Sequence, residues 1–279
     1  MTTASLKPLR RLRATRADRR QADVRPILFA ALDAGSFDAA TLDALSPGRQ
    51  RALDALASSL LPKLKGQDRE VLAAVLDRSG AVEAARRQSR SKRARRRAKA
   101  GEFLGEAGSA AALQDLVALL DDPDPHVRWS AARGLGRLGD RGALSPLLAS
   151  LEGARPMPVD VVADAISEIR ECPVSLLRQG ARSRSVPTRT VAVELLGRFQ
   201  HLVAVPDVIE LLLHDPSVEV RARAARCLGR MGTPRAIEPL VTCLSSSPGA
   251  VQAQAIWALG EIGGPQAVAA LEALDDKDG

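Results

Sequence analysis

Residues 122–139 read DPDPHVRWSAARGLGRLG, and the same pattern returns at residues 215–232 as DPSVEVRARAARCLGRMG. In each segment an Asp-Pro pair marks the start of a helix. Apolar residues then recur every three or four positions, as Val127, Ala131 and Leu135 do. The final glycine of each segment is suited to the left-handed conformation that ends a helix. Each segment therefore predicts an amphipathic helix that must bury its apolar stripe against a neighbour.

The pattern belongs to a repeat of about 31 residues. Six landmark residues, each preceded by Leu or Ile, are separated by 31, 31, 30, 32 and 31 residues: Gly105, Gly136, Ser167, Gly197, Gly229 and Gly260. A fixed period of this length is typical of stacked-repeat solenoids, in which each repeat contacts only its neighbours. We predict an all-α, right-handed solenoid of about six helical hairpins. Prolines interrupt the pattern in the middle, so we expect an irregular stretch at about residues 152–188.

The composition favours helices over sheets. The chain has 279 residues and is 46% hydrophobic but only 2% aromatic, and its abundant Ala and Leu are strong helix formers. Cys172, Cys227 and Cys243 are too scattered for a disulfide framework or a metal site, so we expect a cytoplasmic protein. No apolar stretch approaches the ~20 residues of a membrane helix, and no signal-peptide pattern follows the basic N-terminus.

The charge is divided unevenly along the chain. Residues 1–100 hold 23 Lys+Arg against 10 Asp+Glu, whereas residues 101–279 hold 17 against 23. The basic character therefore lies in the first third. We expect a basic, disordered or frayed tail at 1–22, a helical region at 23–94 that caps the repeats, and the solenoid itself at 95–279.

Three motifs recur in the repeats: the helix start D-P-x-x-x-V-R, the helix A-A-R-x-L-G-R-[LM]-G and the helix A-[VIL]-x-x-L-x-x-x-L. Together they resemble short HEAT-like repeats of the type found in phycobilisome-lyase-like bacterial proteins. The resemblance covers residues 95–279 strongly and 66–94 weakly.

The resemblance also implies a structural ladder, in which an Asp and an Arg six positions later join successive repeats. Asp122 with Arg128 and Asp215 with Arg221 match this pattern. Two other arginines match its Arg alone: Arg97 and Arg189. We expect these residues to be structural rather than ligand-binding.

No group of residues indicates catalysis. Residues 134–139 match the dinucleotide-binding pattern G-x-G-x-x-G by letter. They close a helix, however, where the negative end of the helix dipole repels phosphate. His126, His201 and His214 fall in predicted turns without metal-ligand spacing, and no Ser or Cys is placed for a triad. We expect no enzymatic activity, no metal and no cofactor.

The densest charged feature is a basic segment at residues 86–99, which ends with Arg97 and Lys99. The residues in it that we expect to bind an anionic surface are Arg86, Arg87, Arg90, Lys92, Arg93, Arg95 and Arg96. Such a cluster attracts phosphate groups or anionic lipids. The shortage of aromatic residues for base stacking argues against nucleic acid. An anionic membrane, nucleic acid and a merely solubilising helix face remain the alternatives.

Overlaying the repeats places a second set of residues on one helix face, at seven and three positions before each landmark and one position after it. We call this set the ridge: Trp129, Arg133, Arg137, Arg198, Arg226, Arg230 and Trp257. Glu194 and Glu261 interrupt it. Trp and Arg dominate binding hot spots, so the ridge predicts a concave site for a protein partner with an acidic surface. Tryptophans packed between repeats and ordinary surface arginines are the alternative.

The sequence therefore predicts a non-catalytic scaffold or adaptor that holds a protein partner on the ridge. Docking to an anionic surface through the basic first third is a second expectation and would place the protein at the periphery of a membrane. Two alternatives remain. A nucleic-acid-binding HEAT-like solenoid would need cations along its whole groove. A bilin lyase or chaperone-like protein, which the resemblance implies, would need a chromophore pocket.

Overall fold

The computed structural model describes residues 6–169 and 172–278, and every regular element in these ranges is a helix. The chain forms two compact units, Met1–Asp140 (unit 1) and Arg141–Gly279 (unit 2). The predicted all-α solenoid is confirmed. None of the helices in the described ranges combines the length and the apolar character needed to cross a membrane.

Unit 1 is built from short helices around a leucine-rich core that includes the fully buried Leu53, Leu72 and Leu76. Its α-helices are α1 (Leu6–Ala34), α2 (Ala39–Asp43), α3 (Pro47–Leu60), α4 (Gly66–Arg78), α5 (Ala81–Ser89), α6 (Ala94–Ala107), α7 (Leu113–Leu119) and α8 (Pro125–Leu138). Helix α1 is continuous across residue 22, where we expected a tail to end. From Leu6 onward the structure therefore has a helix where a disordered or frayed tail was expected, and residues 1–5 lie outside the described part.

Helices α6 and α8 pack closely because two glycines meet where the helices cross. A methyl group built on Gly105 would collide with the backbone of Gly134. Each helix ends on a left-handed glycine, Gly108 with φ 68° and Gly139 with φ 72°, as expected for Gly139. Residues 134–139 close α8 rather than open it, so they do not form a dinucleotide-binding turn.

Unit 2 continues the repeat with an irregular start. Its α-helices are α9 (Leu144–Ala149), α10 (Val159–Glu168), α11 (Val174–Ala181), α12 (Val186–Arg198), α13 (Val205–His214), α14 (Val218–Met231), α15 (Ile237–Ser246), α16 (Gly249–Ile262) and α17 (Pro265–Asp278). Residues 150–158 form no helix, which agrees with the first part of the irregular stretch expected at about 152–188. Helices α10 and α11 occupy most of the remainder.

Two landmark glycines of unit 2, Gly197 and Gly229, repeat the close crossing seen in unit 1. A methyl group built on Gly197 would lie 3.0 Å from the Cα atom of Cys227, and one built on Gly229 would lie 2.7 Å from the Cα atom of Ala258. Cys227 and Ala258 both stand two residues before the next landmark, and so does Gly134 in unit 1. A landmark glycine therefore contacts a small residue of the equivalent helix one repeat later, and this crossing recurs at the same repeat position.

Two buried ion pairs join successive repeats. Arg97 donates two hydrogen bonds to the carboxylate of Asp122, at 2.6 and 2.8 Å, and Arg189 donates two to Asp215, at 2.7 and 2.9 Å. Burial is the largest single effect and would raise the pKa of Asp122, but the hydrogen bonds from Arg97 and the Asp124 N–H, together with the nearby guanidinium charges, lower that pKa overall.

The partners in this ladder differ from those that the resemblance implied. Arg128 and Arg221, six positions after the two aspartates, donate to the main-chain carbonyl oxygens of Asp122 and Asp215, at 3.0 and 2.6 Å. The carboxylates are held by the arginines of the preceding repeat. A planar guanidinium can bind both oxygens of one carboxylate, which makes this the more specific of the two contacts.

Candidate partner-binding surfaces

In unit 1 the ridge residues Trp129, Arg133 and Arg137 follow one another along α8. The side chain of Trp129 is 40% exposed. His126 contacts it edge to face, with ring centroids 5.4 Å apart. An exposed indole offers a large, rigid apolar surface with one hydrogen-bond donor.

The two arginines on α8 each form an ion pair with the glutamate that occupies the same repeat position on α6, one repeat earlier in the chain. Arg133 donates to Glu102 at 2.9 Å and Arg137 donates to Glu106 at 2.5 Å, both over 31 residues. This part of the ridge is therefore charge-balanced. Each guanidinium uses one N–H group in the pair and stays 56% and 40% exposed, so further donors remain for a partner.

In unit 2 Glu194 is the centre of an ion-pair cluster rather than a gap in the ridge. Its side chain is only 3% exposed. It accepts hydrogen bonds from Arg198 at 2.8 Å, from Arg230 at 2.6 Å and from Arg223 at 3.3 Å. Burial would raise the pKa of Glu194, but the hydrogen bonds from Arg230 and Arg198 lower it to about 2. The carboxylate is therefore ionised at neutral pH.

Two exposed aspartates on α10 complete the Glu194 cluster. Asp164 accepts a hydrogen bond from Arg198 at 2.6 Å, and Asp160 accepts one from Arg223 at 3.2 Å. Arg223 thus reaches from α14 across α12 to α10, and residues 188–197 of α12 are all buried. Three arginines and three carboxylates carry no net formal charge, so the main role of this part of the ridge is to hold α10, α12 and α14 together.

The remaining ridge residues of unit 2 form a separate pair. The guanidinium of Arg226 lies 5.8 Å from the ring centroid of Trp257, within the range of a cation–π interaction. Trp257 also packs over Gly229, where an added methyl group would lie 2.9 Å from the ring, yet it stays 37% exposed. Arg226 is exposed and forms no ion pair with a carboxylate in the described part of the chain. In this pair an exposed indole lies against an arginine that has no carboxylate partner among the described residues.

The basic segment divides into two groups. In the first, Arg86 and Arg90 both bind the buried carboxylate of Asp115, at 2.6 and 3.1 Å, and Arg87 lies 3.7 Å from Glu83. The second group is exposed and lies in the loop before α6 and in its first turns. Its members form no ion pair with any described carboxylate and are Lys92, Arg93, Arg95, Arg96 and Lys99. Only this second group is free to meet an anionic surface.

The arginine pair around Asp115 has a counterpart in unit 2. Arg178 and Arg182 both bind Asp207 at 2.6 Å, over 29 and 25 residues. Arg86 and Arg90 reach Asp115 over the same two separations. This recurrence favours a structural role for Arg86 and Arg90, which the sequence alone had grouped with the surface cations.

The acidic partners escaped the sequence analysis. Glu102 and Glu106 occupy the same repeat positions as Arg133 and Arg137. Comparing the charges at equivalent positions of successive repeats could therefore have found them. No such signal exists for Arg223, whose role depends on a contact over 63 residues. Among the described residues no group of His, Cys, Asp and Glu is arranged to hold a metal ion.

The chain matches the family model described as HEAT repeats over residues 80–170, 174–251 and 205–279. It is similar to the phycocyanobilin lyase subunit alpha of Picosynechococcus sp. (strain ATCC 27264 / PCC 7002 / PR-6), with 30% identity over 169 residues. That match covers 60% of this chain and 56% of the relative. The chain thus aligns with little more than half of that protein.

The chain is also similar to parts of solved structures. The complex of CpcE and CpcF of phycocyanin lyase from Nostoc sp. PCC7120 is 21% identical, with a TM-score of 0.37 and coverage of 80% of this chain and 94% of that chain. Importin beta is 14% identical, with a TM-score of 0.47 and coverage of 88% and 42%. The family model covers more than half of the sequence, and the chain belongs to the HEAT-repeat family.

Proposed function

We propose that this HEAT-repeat protein is a non-catalytic scaffold or adaptor that binds a protein partner through its ridge residues. HEAT-type solenoids offer extended binding surfaces and seldom rely on one catalytic pocket. The observation that carries the proposal is the pair formed by Arg226 and Trp257, a half-exposed indole beneath an arginine without a carboxylate partner. Trp and Arg are the residue types most enriched among binding hot spots.

The ion pairs refine the kind of partner. Most ridge arginines already contact a carboxylate of this chain, so the partner's acidic groups would meet Arg226 and the unused N–H groups of Arg133 and Arg137. An exposed indole would supply the apolar anchor in each unit, Trp129 in unit 1 and Trp257 in unit 2. At either place the proposed partner presents an apolar side chain beside a carboxylate.

Affinity capture from cells that make the protein tests this proposal. The ridge variant combines Trp129→Ser with Arg226→Glu. A control variant combines Leu202→Ser with Arg235→Glu, which removes a similar apolar area and changes the charge equally at exposed positions outside the ridge. We expect a defined partner with the wild type and the control but not with the ridge variant. Recovery of the same partners by all three proteins would overturn the proposal.

We further propose that the exposed group of the basic segment docks the protein to an anionic membrane surface. Arg93 and Arg95 are exposed and unpaired with any described carboxylate, and each basic residue near such a surface contributes about 1 kcal/mol to binding. Flotation with phosphatidylcholine vesicles, with and without phosphatidylserine, measures the binding. We expect binding to anionic vesicles only, weakening with salt.

The variant Arg93→Glu/Arg95→Glu should lose this binding. The control Arg184→Glu/Arg235→Glu has the same net charge, with both changes at exposed positions of unit 2, and should keep it. Equal losses in both variants would contradict a local docking site. If duplex DNA at an equal phosphate concentration displaces the vesicles, nucleic acid is favoured as the ligand of this group. It would then be held through phosphate contacts alone.

A bilin lyase or chaperone-like activity is the second candidate function, and the 30% identity to a phycocyanobilin lyase subunit favours it. A groove of about 820 Å³ in unit 2, lined by Ser145, Leu148, Ser175 and Gln179 among others, is large enough for a tetrapyrrole, but its lining includes no aromatic side chain. Visible absorbance retained after gel filtration with phycocyanobilin would support this function, provided that Ser175→Trp abolishes it. A colourless protein would contradict it.

A further inference from the structure

The groove of unit 2 is lined by residues of α9, α11 and the start of α12. Its volume of about 820 Å³ is typical of small-molecule sites. Helix α9 has six residues, against ten each in α13 and α15, and residues 150–158 after it form no helix. The groove therefore borders the part of unit 2 in which the repeat is irregular.

Two arginines one turn apart on α11 give this groove its charge. Arg178 through Nε and Arg182 through Nη2 both donate to the carboxylate of Asp207 on α13, each at 2.6 Å. The Asp207 side chain is only 10% exposed, so it holds the two guanidinium groups side by side. The terminal nitrogens of Arg178 and Nη1 of Arg182 donate to no acceptor in the described part of the chain. Both arginines line the groove, so these N–H groups are available to a ligand.

The charges around this arginine pair favour an anion. Burial would raise the pKa of Asp207, but the hydrogen bonds from the two arginines lower it, so this carboxylate stays ionised and neutralises one of the two guanidinium groups. None of the described residues that line the groove carries a carboxylate. Glu152 reaches only its α12 side, where it accepts a hydrogen bond from Thr188 at 3.0 Å. A phosphate group has three acceptor oxygens and can meet both guanidinium groups at once.

The rest of the groove fits a hydroxylated ligand. Ser175 and Gln179 stand one turn apart on α11, and Ser145 lies on the α9 wall. Their side chains are exposed, form no hydrogen bond with any described residue, and can each donate and accept. Leu148 and Leu176 add apolar surface for a carbon skeleton. No aromatic side chain is present among the described lining residues, which argues against a nucleobase stacked in the groove.

We propose that this groove binds a small phosphate ester with a hydroxylated body, such as a sugar phosphate. The phosphate lies against the unbonded edges of Arg178 and Arg182, and the hydroxyl groups of the ligand bond to Ser145, Ser175 and Gln179. The site shares no residue with the ridge or the basic segment, so it can fail separately from both. The ligand also differs from the tetrapyrrole of the second candidate function, because its phosphate and hydroxyl groups are what the groove recognises.

The equivalent arginine pair of unit 1 has different surroundings. Arg86 and Arg90 hold Asp115 in the same way, but the groove beside them is also lined by Asp121 and Asp122. Carboxylates so close to the pair disfavour a phosphate. Substitutions in this groove therefore serve as matched controls, because they change the same kind of ion pair at a place where we expect no ligand.

Isothermal titration calorimetry of the full chain measures the binding of three probes: glucose 6-phosphate, ribose 5-phosphate and glycerol 3-phosphate. We expect at least one of them to bind more tightly than both inorganic phosphate and its own unphosphorylated counterpart, because the groove contacts both parts of the ligand. Gln179→Glu places a carboxylate beside the arginine pair and should weaken this binding by about tenfold or more. Arg182→Gln should do the same, although Arg178 still holds Asp207.

The two controls make the same changes in unit 1. Gln114→Glu adds a carboxylate to the groove there, and Arg90→Gln leaves Asp115 held by Arg86. Both should bind the ester like the wild type. The double variant Arg93→Glu/Arg95→Glu should also do so, because the basic segment is not part of the site.

Equal weakening by these controls would mean that surface charge alone holds the esters, and it would overturn the proposal. Binding of every ester no tighter than that of inorganic phosphate would overturn it too, as would no binding at all. If no ester binds but phycocyanobilin does, the groove belongs to the second candidate function and the proposed ligand is wrong.

Discussion

Replacing Glu194 with glutamine should destabilise unit 2 by about 3 kcal/mol at neutral pH. The Arg230 and Arg198 hydrogen bonds hold the pKa of Glu194 at about 2 against an ordinary value of 4.5. Each tenfold change in proton affinity corresponds to about 1.4 kcal/mol, which gives the expected loss. Solvent screens little of it because the side chain is 3% exposed, and three arginines would lose their shared anion.

Urea unfolding followed by circular dichroism and tryptophan fluorescence measures this loss. Glu102→Gln is the matched control, because its ion pair with Arg133 has side chains 46% and 56% exposed. Exposed pairs of this kind contribute up to about 1 kcal/mol. The control should therefore have a urea midpoint close to that of the wild type, whereas Glu194→Gln should unfold at a clearly lower urea concentration.

The pH dependence gives a second check on the same reasoning. The folded pKa of Glu194 lies below 4.5, so the stabilisation is complete above pH 4.5 and is lost as the pH falls from there towards about 2. The difference between the wild type and Glu194→Gln should shrink over that range. A difference below about 1 kcal/mol at pH 7, or one that stays constant down to the acid end, would refute the account of the cluster.

Three further predictions concern the helix crossings, the ion-pair ladder and a buried thiol. Gly105→Ala should lower the free energy of unfolding by about 1–3 kcal/mol, because the added methyl group has no space. Gly260→Ala should raise it by up to about 1 kcal/mol. If calorimetry shows that Gly105→Ala is at least as stable as Gly260→Ala, the crossing geometry is contradicted. Asp122→Asn should cost about 1.5–3 kcal/mol in urea unfolding, and the cost should vanish in an Arg97→Met background. Burial raises the pKa of the Cys227 thiol, so a thiol reagent should modify it only after unfolding, as peptide mass spectrometry can show.

The repeat could be predicted because its causes are local. A landmark glycine, replaced once by Ser167, recurs every 30 to 32 residues, and the apolar stripe of each helix keeps a helical period. Gly197 and Gly229 were identified in this way, and both lie at crossings. The apolar pattern of residues 1–22 is weak beside their many arginines, so the sequence predicted a disordered or frayed tail there instead of the continuous helix α1.

The ion-pair clusters could not be predicted because they depend on distant contacts. Glu194 occupies a repeat position that is exposed in other repeats, so the sequence suggested that it interrupts the ridge. Its burial depends on α10 and α14 meeting across α12, which the contact between Asp160 and Arg223 over 63 residues records. Likewise, Arg86 and Arg90 of the basic segment are paired because Asp115 lies within reach, a contact over 29 and 25 residues.

The central claim is that the ridge contacts a protein partner, and site-specific photo-crosslinking in cells that make the protein tests it most directly. A photoreactive amino acid is placed at Trp129 or at Arg226, and at Leu202, 58% exposed, as the control. We expect one discrete crosslinked partner from the two ridge positions and none from the control. Crosslinks of equal pattern from all three positions, or none from either ridge position, would contradict the claim.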